Sequence, residues 1–304
     1  MADRPLPAIV GCTASGKTAM ALALAERWPI EVISADSRQI YRGMDIGTAK
    51  PDATERNALP HHLIDVADPD EYYSAGRFAR EALERADSIG SSGSRPLVVG
   101  GTGLYMIALA GGLDDLPVRN DRIRRGLRAA EEGSPGFMRR ALLRLDPERA
   151  EQIDGADLVR HVRALEIVLQ SGRTLSELRG RSEGPGTELR AAGLRVAPAE
   201  LKRRIAARTA KMLQAGLVDE VRGLMDAGYG RDSALGRTIG YAEIIDHLEG
   251  MIDLNEAVAR IETNTWRLAR RQRNIFRRLP GIRWFGPGRT DAVEEYLFGG
   301  GKGA

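Results

Sequence analysis

Eight consecutive residues, Gly11, Cys12, Thr13, Ala14, Ser15, Gly16, Lys17 and Thr18, narrow the possible folds at once because they satisfy the pattern G-x-x-x-x-G-K-[ST]. They lie between a short apolar run, Leu6 to Val10, and a segment from Lys17 to Trp28 with the Ala/Leu density of a buried helix. Strand, loop and helix in that order are what the motif needs. Glycines let backbone N–H groups fold round a phosphate, the helix start adds its dipole, Lys17 brings a mobile cation, and Thr18 can hold Mg²⁺. The competing reading is a chance glycine turn. The motif leaves open which phosphate compound is held, a nucleoside triphosphate or a diphosphate leaving group. Cys12 is either a small filler of the loop or a redox-sensitive thiol, and the filler is the simpler account.

The rest of the chain extends this reading. Glu31 to Ser34 reads as a second strand ending at Asp36, followed by an apolar run at Leu63 to Val66, a helix from about Ser74 to Ile89, and a strand, Pro96 to Val99, running into Gly100, Gly101, Thr102 and Gly103. Strands alternating with helices imply an α/β fold: a parallel sheet flanked by helices, of the P-loop NTPase type, with sites at the carboxyl ends of its strands. From about Asp114 the pattern turns to charged, Arg-rich helical segments, so residues 114–190 are expected to be an inserted all-helical domain. Residues 1–113 and 191–304 are expected to form the catalytic core. A strand-like Gly193 to Val196 follows, then helices over about Ala199 to Ala227, Tyr241 to Glu249 and Asn255 to Leu279, and a last strand, Gly281 to Phe285. The sheet is thus completed from both ends of the sequence.

Composition removes several classes. Among 304 residues there is one cysteine and only four histidines, His61, His62, His161 and His247, too few for a Cys/His zinc cluster or an intrachain disulfide. No apolar run approaches the roughly 20 residues needed to span a bilayer, and MADRPLPAIVG lacks the apolar core of a secretory signal, so a cytoplasmic protein without membrane attachment is expected. The net charge of +3 says little as a total. Residues 255–290 hold nine arginines against Glu256 and Glu262, a net +7 that leaves −4 for the remainder. Such asymmetry suits a polyanion, nucleic acid above all, although a solvated helix face looks similar.

Asp36 sits at the carboxyl end of the second strand, on the rim that carries the phosphate loop in a doubly wound sheet. A carboxylate beside a bound diphosphate can take the proton of an incoming nucleophile; it can equally be a helix cap or turn residue. His61, His62 and His247 read as polar or capping residues. His161 reads either as an RNA contact or as helix surface, and Arg160 and Arg163, three apart, share a helix face that could equally be salt-bridged to Asp157 or Glu166.

Several runs together closely resemble the tRNA dimethylallyltransferase (IPP transferase) family. They are Gly11 to Thr18, Ile33 to Lys50 (ISADSRQIYRGMDIGTAK), His61 to Asp65 (HHLID), Gly100 to Tyr105 (GGTGLY), Arg163 to Glu166 (RALE), Arg237 to Tyr241 (RTIGY) and Leu268 to Gln272 (LARRQ). The resemblance covers nearly the whole chain in the family's order. It implies transfer of the dimethylallyl group from dimethylallyl diphosphate to N6 of adenosine 37 in tRNAs that read codons beginning with U. By the same resemblance, Gly11 to Thr18 holds the diphosphate with Mg²⁺ at Thr18, Asp36 is the general base, and Thr13 and Arg237 stabilise the leaving diphosphate. Contacts to tRNA are implied for Asp36, Ser37, Arg38, Gln39, Thr102, Arg124, Val159, Arg160, His161, Val162 and Arg163. The helical insertion would grip the anticodon stem-loop, with the target base turned out of its stack, and a monomer is expected.

Two departures from the family pattern stand out. Cys12 replaces a usual proline, and Arg273, Asn274, Ile275 and Phe276 replace the segment that usually carries Thr-Trp, which puts C-terminal packing or a tRNA contact in doubt. Three other readings stay in view: a P-loop kinase or NTPase, a non-catalytic RNA-binding module, and a relative that prenylates free adenine nucleotides.

Overall fold

The computed structural model describes residues 5–111, 116–178, 186–277, 279 and 281–299. Arg278, the glycine-rich residues 180–185 and the tail 300–304 lie outside them. The chain forms two compact units, residues 1–110 with 185–304, and residues 111–184.

The first unit is built on six parallel strands. In chain order its elements are β1 (Leu6–Gly11), α1 (Lys17–Ala25), β2 (Ile30–Ala35), α2 (Ala53–Ala58), β3 (His61–His62), α3 (Ala75–Ser91), β4 (Arg95–Gly100) and α4 (Gly103–Leu109). The second unit contributes α5 (Asp121–Gly133), α6 (Phe137–Leu145), α7 (Pro147–Gln152), α8 (Leu158–Ser171) and α9 (Leu175–Leu178). The first unit then resumes with β5 (Leu189–Leu194), α10 (Pro198–Gln214), α11 (Leu217–Asp226), α12 (Tyr241–Leu248), α13 (Leu254–Phe276), β6 (Ile282–Phe285) and α14 (Thr290–Phe298). Strand order is β3-β2-β4-β1-β5-β6, so the two strands from the C-terminal half complete one edge.

Both faces of the sheet are covered, and the period-two alternation of side chains decides which residue goes where. Ala8, Val10, Ile33, Ala35, Val98 and Ala191 point to the face packed by α3, α4, α11, α12 and α13. Ile9, Val32, Leu97, Ala192 and Leu194 point to the face packed by α1 and α14. Ile9 is fully buried, and burying such a side chain contributes about 1.5–3 kcal/mol.

Three elements differ from the sequence expectation for local reasons. The strand next to β2 is His61–His62 and not Leu63 to Val66, because Leu63 and Asp65 take positive φ of 60° and 57° and leave the extended region. The long helix expected to Ala227 breaks at Gly216, whose φ of 97° suits glycine, giving α10 and α11. The strand expected over Gly193 to Val196 runs Leu189–Leu194, paired with β1 along its whole length. No helix among the described residues is long and apolar enough to cross a membrane.

Candidate active site

The loop expected to hold phosphate connects β1 to α1. Gly16, φ 92°, caps α1 in the left-handed region, and Ala14, φ 59°, shares that conformation without being glycine. A Cβ at Gly11 would sit 2.6 Å from Ser15 Oγ, so glycine there lets the loop close on itself. Lys17 folds back across the loop, donating to the carbonyls of Gly11 (3.0 Å) and Cys12 (2.9 Å). Loss of hydration pulls the Lys17 ammonium down to about 8, while the Asp36 carboxylate resists that shift. Thr18 is exposed on the first turn of α1. The Cys12 side chain is buried against Val196, Leu201, Ile205 and Ala269. Burial pushes its thiol pKa up despite Lys17 and Arg273 nearby, the environment of an inert filler.

Asp36 follows β2 on the same rim. Gly100 pairs with Ala35, and a Cβ at Gly100 would run into the Ala35 carbonyl, so glycine lets β4 approach the strand tip. Asp36 Oδ1 accepts from the Arg38 N–H (2.9 Å); the turn role and the position facing cations are therefore both realised. Thr102 ties in from the β4 loop, donating its N–H to the Ala35 carbonyl (3.1 Å) and accepting from the Ser37 N–H at Oγ1 (2.9 Å). Gln39 accepts from Ser34 Oγ (3.1 Å) and donates to the Ala49 carbonyl (3.0 Å), so its amide works inside the loop.

The guanidinium that shares the field of Asp36 belongs to Arg208 on α10. Burial lowers its pKa and the Asp36 charge opposes the shift, while Nη2 donates to the Thr48 carbonyl (3.2 Å). Arg237 is exposed and donates to the Asp232 carbonyl (2.6 Å); its charge is felt at Tyr41. Arg208 carries no motif. The available signal was electrostatic: Arg203 and Arg204 are matched by Glu200 one turn earlier, whereas Arg208 has no acid three or four residues away on its helix.

The loop that follows Asp36 is fixed by two charges that carry no motif, the half-buried Glu220 and the buried Lys50. Glu220 accepts from the N–H groups of Asp45 (3.0 Å), Ile46 (2.7 Å) and Gly47 (3.2 Å) and from the Tyr241 hydroxyl (2.5 Å). Lys50 donates to the Tyr41 carbonyl (2.5 Å), Asp45 (2.6 Å) and Asp65 (2.5 Å). The separate runs GMDIGTAK, HHLID and RTIGY thus meet as one anchor. His61 bonds the Leu59 carbonyl (2.6 Å), His62 bonds Glu31 (2.7 Å) and His247 bonds the Ile252 carbonyl (3.2 Å), all structural duties.

In the second unit the expected tRNA contacts divide. Glu166, fully buried, accepts from Arg124 at both oxygens (2.8 Å each), from Arg163 (2.7 Å) and from the Asn120 N–H (2.7 Å). Burial alone would raise its pKa; the donated hydrogen bonds and Arg124 outweigh that and hold the carboxyl at about 2. His161 and Val162 are corrections to the expected RNA-facing run. Both are buried, His161 bonding the Asp157 carbonyl (2.9 Å) and Val162 lying in the core of this unit, because α8 turns that face inward. Val159, 72% exposed, and Arg160, at 3.4 Å from Asp157, face solvent.

The altered segment after Gln272 packs well, with Phe276 buried and Ile275 occupying the space a side chain at Gly103 would need. Arg270, Arg271, Arg273 and Arg277 of the basic segment are exposed, with no carboxylate at ion-pair distance among the described residues.

Comparison with known proteins matches the chain to two family profiles. A profile described as IPP transferase matches residues 39–279, and one described as isopentenyl transferase matches residues 5–65. A tRNA dimethylallyltransferase 2 of Geotalea uraniireducens is 46% identical over 280 residues, covering 91% of this chain and 90% of the relative. A tRNA dimethylallyltransferase of Thermotoga petrophila is 43% identical over 275 residues, 90% of each chain. The crystal structure of a full-length tRNA isopentenylpyrophosphate transferase from Bacillus halodurans is similar with a TM-score of 0.69 at 36% identity, over 98% of this chain and 96% of that one.

Proposed function

The chain belongs to the IPP transferase family, and from that membership we propose how its loop and strand tip perform the transfer of a dimethylallyl group to adenosine in tRNA. The donor is dimethylallyl diphosphate and the acceptor atom is N6 of adenosine 37, in the anticodon stem-loop of tRNAs that read codons beginning with U. The observation that carries the reading is the convergence of Lys17, Arg208 and Asp36 on one rim of the sheet.

The diphosphate lies in the loop Gly11 to Thr18. The N–H groups of Thr13 and Ser15 are already given to Gln272 and to the Cys12 carbonyl, which leaves the cradle to Ala14, Gly16, Lys17 and Thr18. The N6 lone pair forms a bond to C1 of the dimethylallyl group as the C1–O bond breaks, and that electron pair leaves on the diphosphate. Asp36 takes the N6 proton. Lys17, Arg208 and the Thr13 hydroxyl meet the charge that develops on the leaving oxygen, where fixed donors are worth most. Arg237, whose charge is felt at Tyr41, joins Thr13 in stabilising the leaving diphosphate.

Enzymes of this kind use a divalent metal, and Mg²⁺ fits here. Such an ion keeps several waters and substrate phosphate oxygens and needs no protein cage, and Thr18 presents an exposed hydroxyl beside the cradle. When bound, Mg²⁺ would add positive charge to the diphosphate oxygens. The protein is proposed to work as a monomer in the cytoplasm. For tRNA, Ser37, Arg38, Thr102, Val159 and Arg160 are the proposed contacts, whereas Gln39, Arg124 and Arg163 position neighbours.

Purified protein with Mg²⁺, labelled dimethylallyl diphosphate and unmodified tRNA is expected to label the adenosine next to the anticodon. Asp36→Ala is expected to lower turnover by about 10²–10⁴ while diphosphate binding is retained. Labelling of AMP in place of tRNA would move the chain to the nucleotide-prenylating relatives, and ATP consumption to the kinases.

A further inference from the structure

Gln272, half-buried on α13, joins parts of the molecule that are far apart in sequence. Its side-chain carbonyl accepts from the Thr13 N–H at 2.9 Å, and its NH₂ donates to the Gly101 carbonyl at 2.9 Å. The two partners fix which way the amide points. Rotating it would set NH₂ against the Thr13 N–H and oxygen against the Gly101 carbonyl, losing both bonds. Gly101 is shaped for this contact, since a Cβ there would sit 2.7 Å from Gln272 Nε2. Three residues on, Ile275 fills the space over Gly103. One side of α13 is thereby seated on the rim that carries the phosphate loop and the GGTG turn. Arg270, Arg271 and Arg273 flank that contact and are exposed, and the charge of Arg273 reaches the Cys12 thiol inside the loop.

We infer that Gln272 is a positioning residue for prenyl transfer: its amide fastens the diphosphate loop at Thr13 to the β4 turn at Gly101, so that the donor cradle and the arginine-rich helix keep one geometry. This rests on the reading of the loop as the diphosphate site given above. Thr13 is the point of action. With its N–H held by Gln272, its backbone is pinned and its hydroxyl is presented to the cradle; without the amide, the loop must order itself each time an anion binds. The loss then falls on the donor and not on the RNA.

Gln272→Leu keeps the size and removes both bonds. Gln272→Glu can still accept from the Thr13 N–H but sets a carboxylate against the Gly101 carbonyl. Gly101→Ala crowds the amide from the other side. Binding of inorganic diphosphate with Mg²⁺, measured by calorimetry on the full chain, is expected to weaken roughly tenfold in Gln272→Leu, as loss of one or two hydrogen bonds implies. KM for dimethylallyl diphosphate should rise in parallel, and affinity for unmodified tRNA should stay within about twofold. Gln272→Glu should fall between Gln272→Leu and the wild type, and Gly101→Ala should reproduce the donor defect. Unchanged or tighter diphosphate binding in Gln272→Leu overturns the inference, the tighter case meaning that the amide competes with the ligand. Equal losses in donor binding, tRNA binding and thermal midpoint also overturn it, because they describe a merely structural residue. A wild type that binds diphosphate but prenylates no tRNA would refute the functional reading alone, and the calorimetry would still decide the role of Gln272.

Discussion

At the phosphate loop two cations, Lys17 and Arg208, stand near one carboxylate, Asp36; in the insertion two cations, Arg124 and Arg163, stand against one carboxylate, Glu166. The inventory is the same and the outcome is opposite. Glu166 is fully buried and takes four hydrogen bonds from Arg124, Arg163 and the Asn120 N–H, so the carboxyl is held at about 2. Asp36 is half-buried and takes one backbone N–H, and here it is the cations whose pKa values are pulled down by lost hydration. In the insertion the charges satisfy one another and make architecture. At the loop Lys17 and Arg208 donate to backbone carbonyls and not to the carboxylate, and an anionic ligand is what satisfies their charge.

The largest effect is expected from breaking the satisfied cluster. Glu166→Ala removes the carboxylate that Arg124, Arg163 and the Asn120 N–H share, and removal of one partner from a buried ion pair costs about 3–5 kcal/mol. Limited proteolysis should open residues 116–178 while the sheet unit stays resistant; resistance of the insertion would mean that Glu166 is dispensable. The pH dependence has a definite sign. The folded pKa of Glu166 lies below its ordinary value of 4.5, so its contribution is complete above that value and is lost as pH falls from there toward about 2.

The loop should answer to pH from the other end of the scale. Lys17 titrates at about 8, below its ordinary 10.5, so the unfolded chain holds more protons across that interval. The empty protein therefore gains stability from this group as pH climbs through the interval. Anion binding moves the opposite way, because deprotonated Lys17 no longer attracts diphosphate. Relative to Lys17→Arg, which stays charged, the wild type should lose diphosphate affinity by up to roughly tenfold per pH unit above 8. A ratio flat from pH 7 to about 9.5 would show that Lys17 is not the cation that reads the ligand.

How much of this was legible in sequence follows from how local each signal is. The phosphate loop, the alternating sheet and the helical insertion are written in short-range patterns: glycine spacing, period-two apolar runs and Arg-rich helices. Asp36 was legible because a strand tip places it. Arg208, Glu220 and Gln272 were not singled out as site residues, since each acts on a partner more than a hundred residues away. Gln272 reaches Thr13 across 259 positions and Glu220 reaches the Gly47 N–H across 173. The resemblance quoted LARRQ and RTIGY as strings; only the fold turns the glutamine into a fastening and the tyrosine into a donor to Glu220. The expectation for Val159 to Arg163 went astray at His161 and Val162 because a helix run of five residues must visit both faces of α8.

That same alternation supplies the smallest and finest test. Among the described residues Arg160 is paired only with Asp157, at 3.4 Å with side-chain exposures of 65% and 31%, and such surface pairs contribute about 0–1 kcal/mol. Its guanidinium can exchange Asp157 for an RNA phosphate at little cost. Arg163 cannot, because it is bound to Glu166 and to the Pro117 carbonyl (2.8 Å). Arg160→Ala should therefore leave the thermal midpoint of the insertion in place and reduce the slope of log affinity for tRNA against log salt by roughly one, the mark of one lost phosphate contact. Arg163→Ala should lower the midpoint and leave that slope nearly as it was. If the two variants exchange these effects, the division between satisfied and available arginines on α8 has been drawn at the wrong residue.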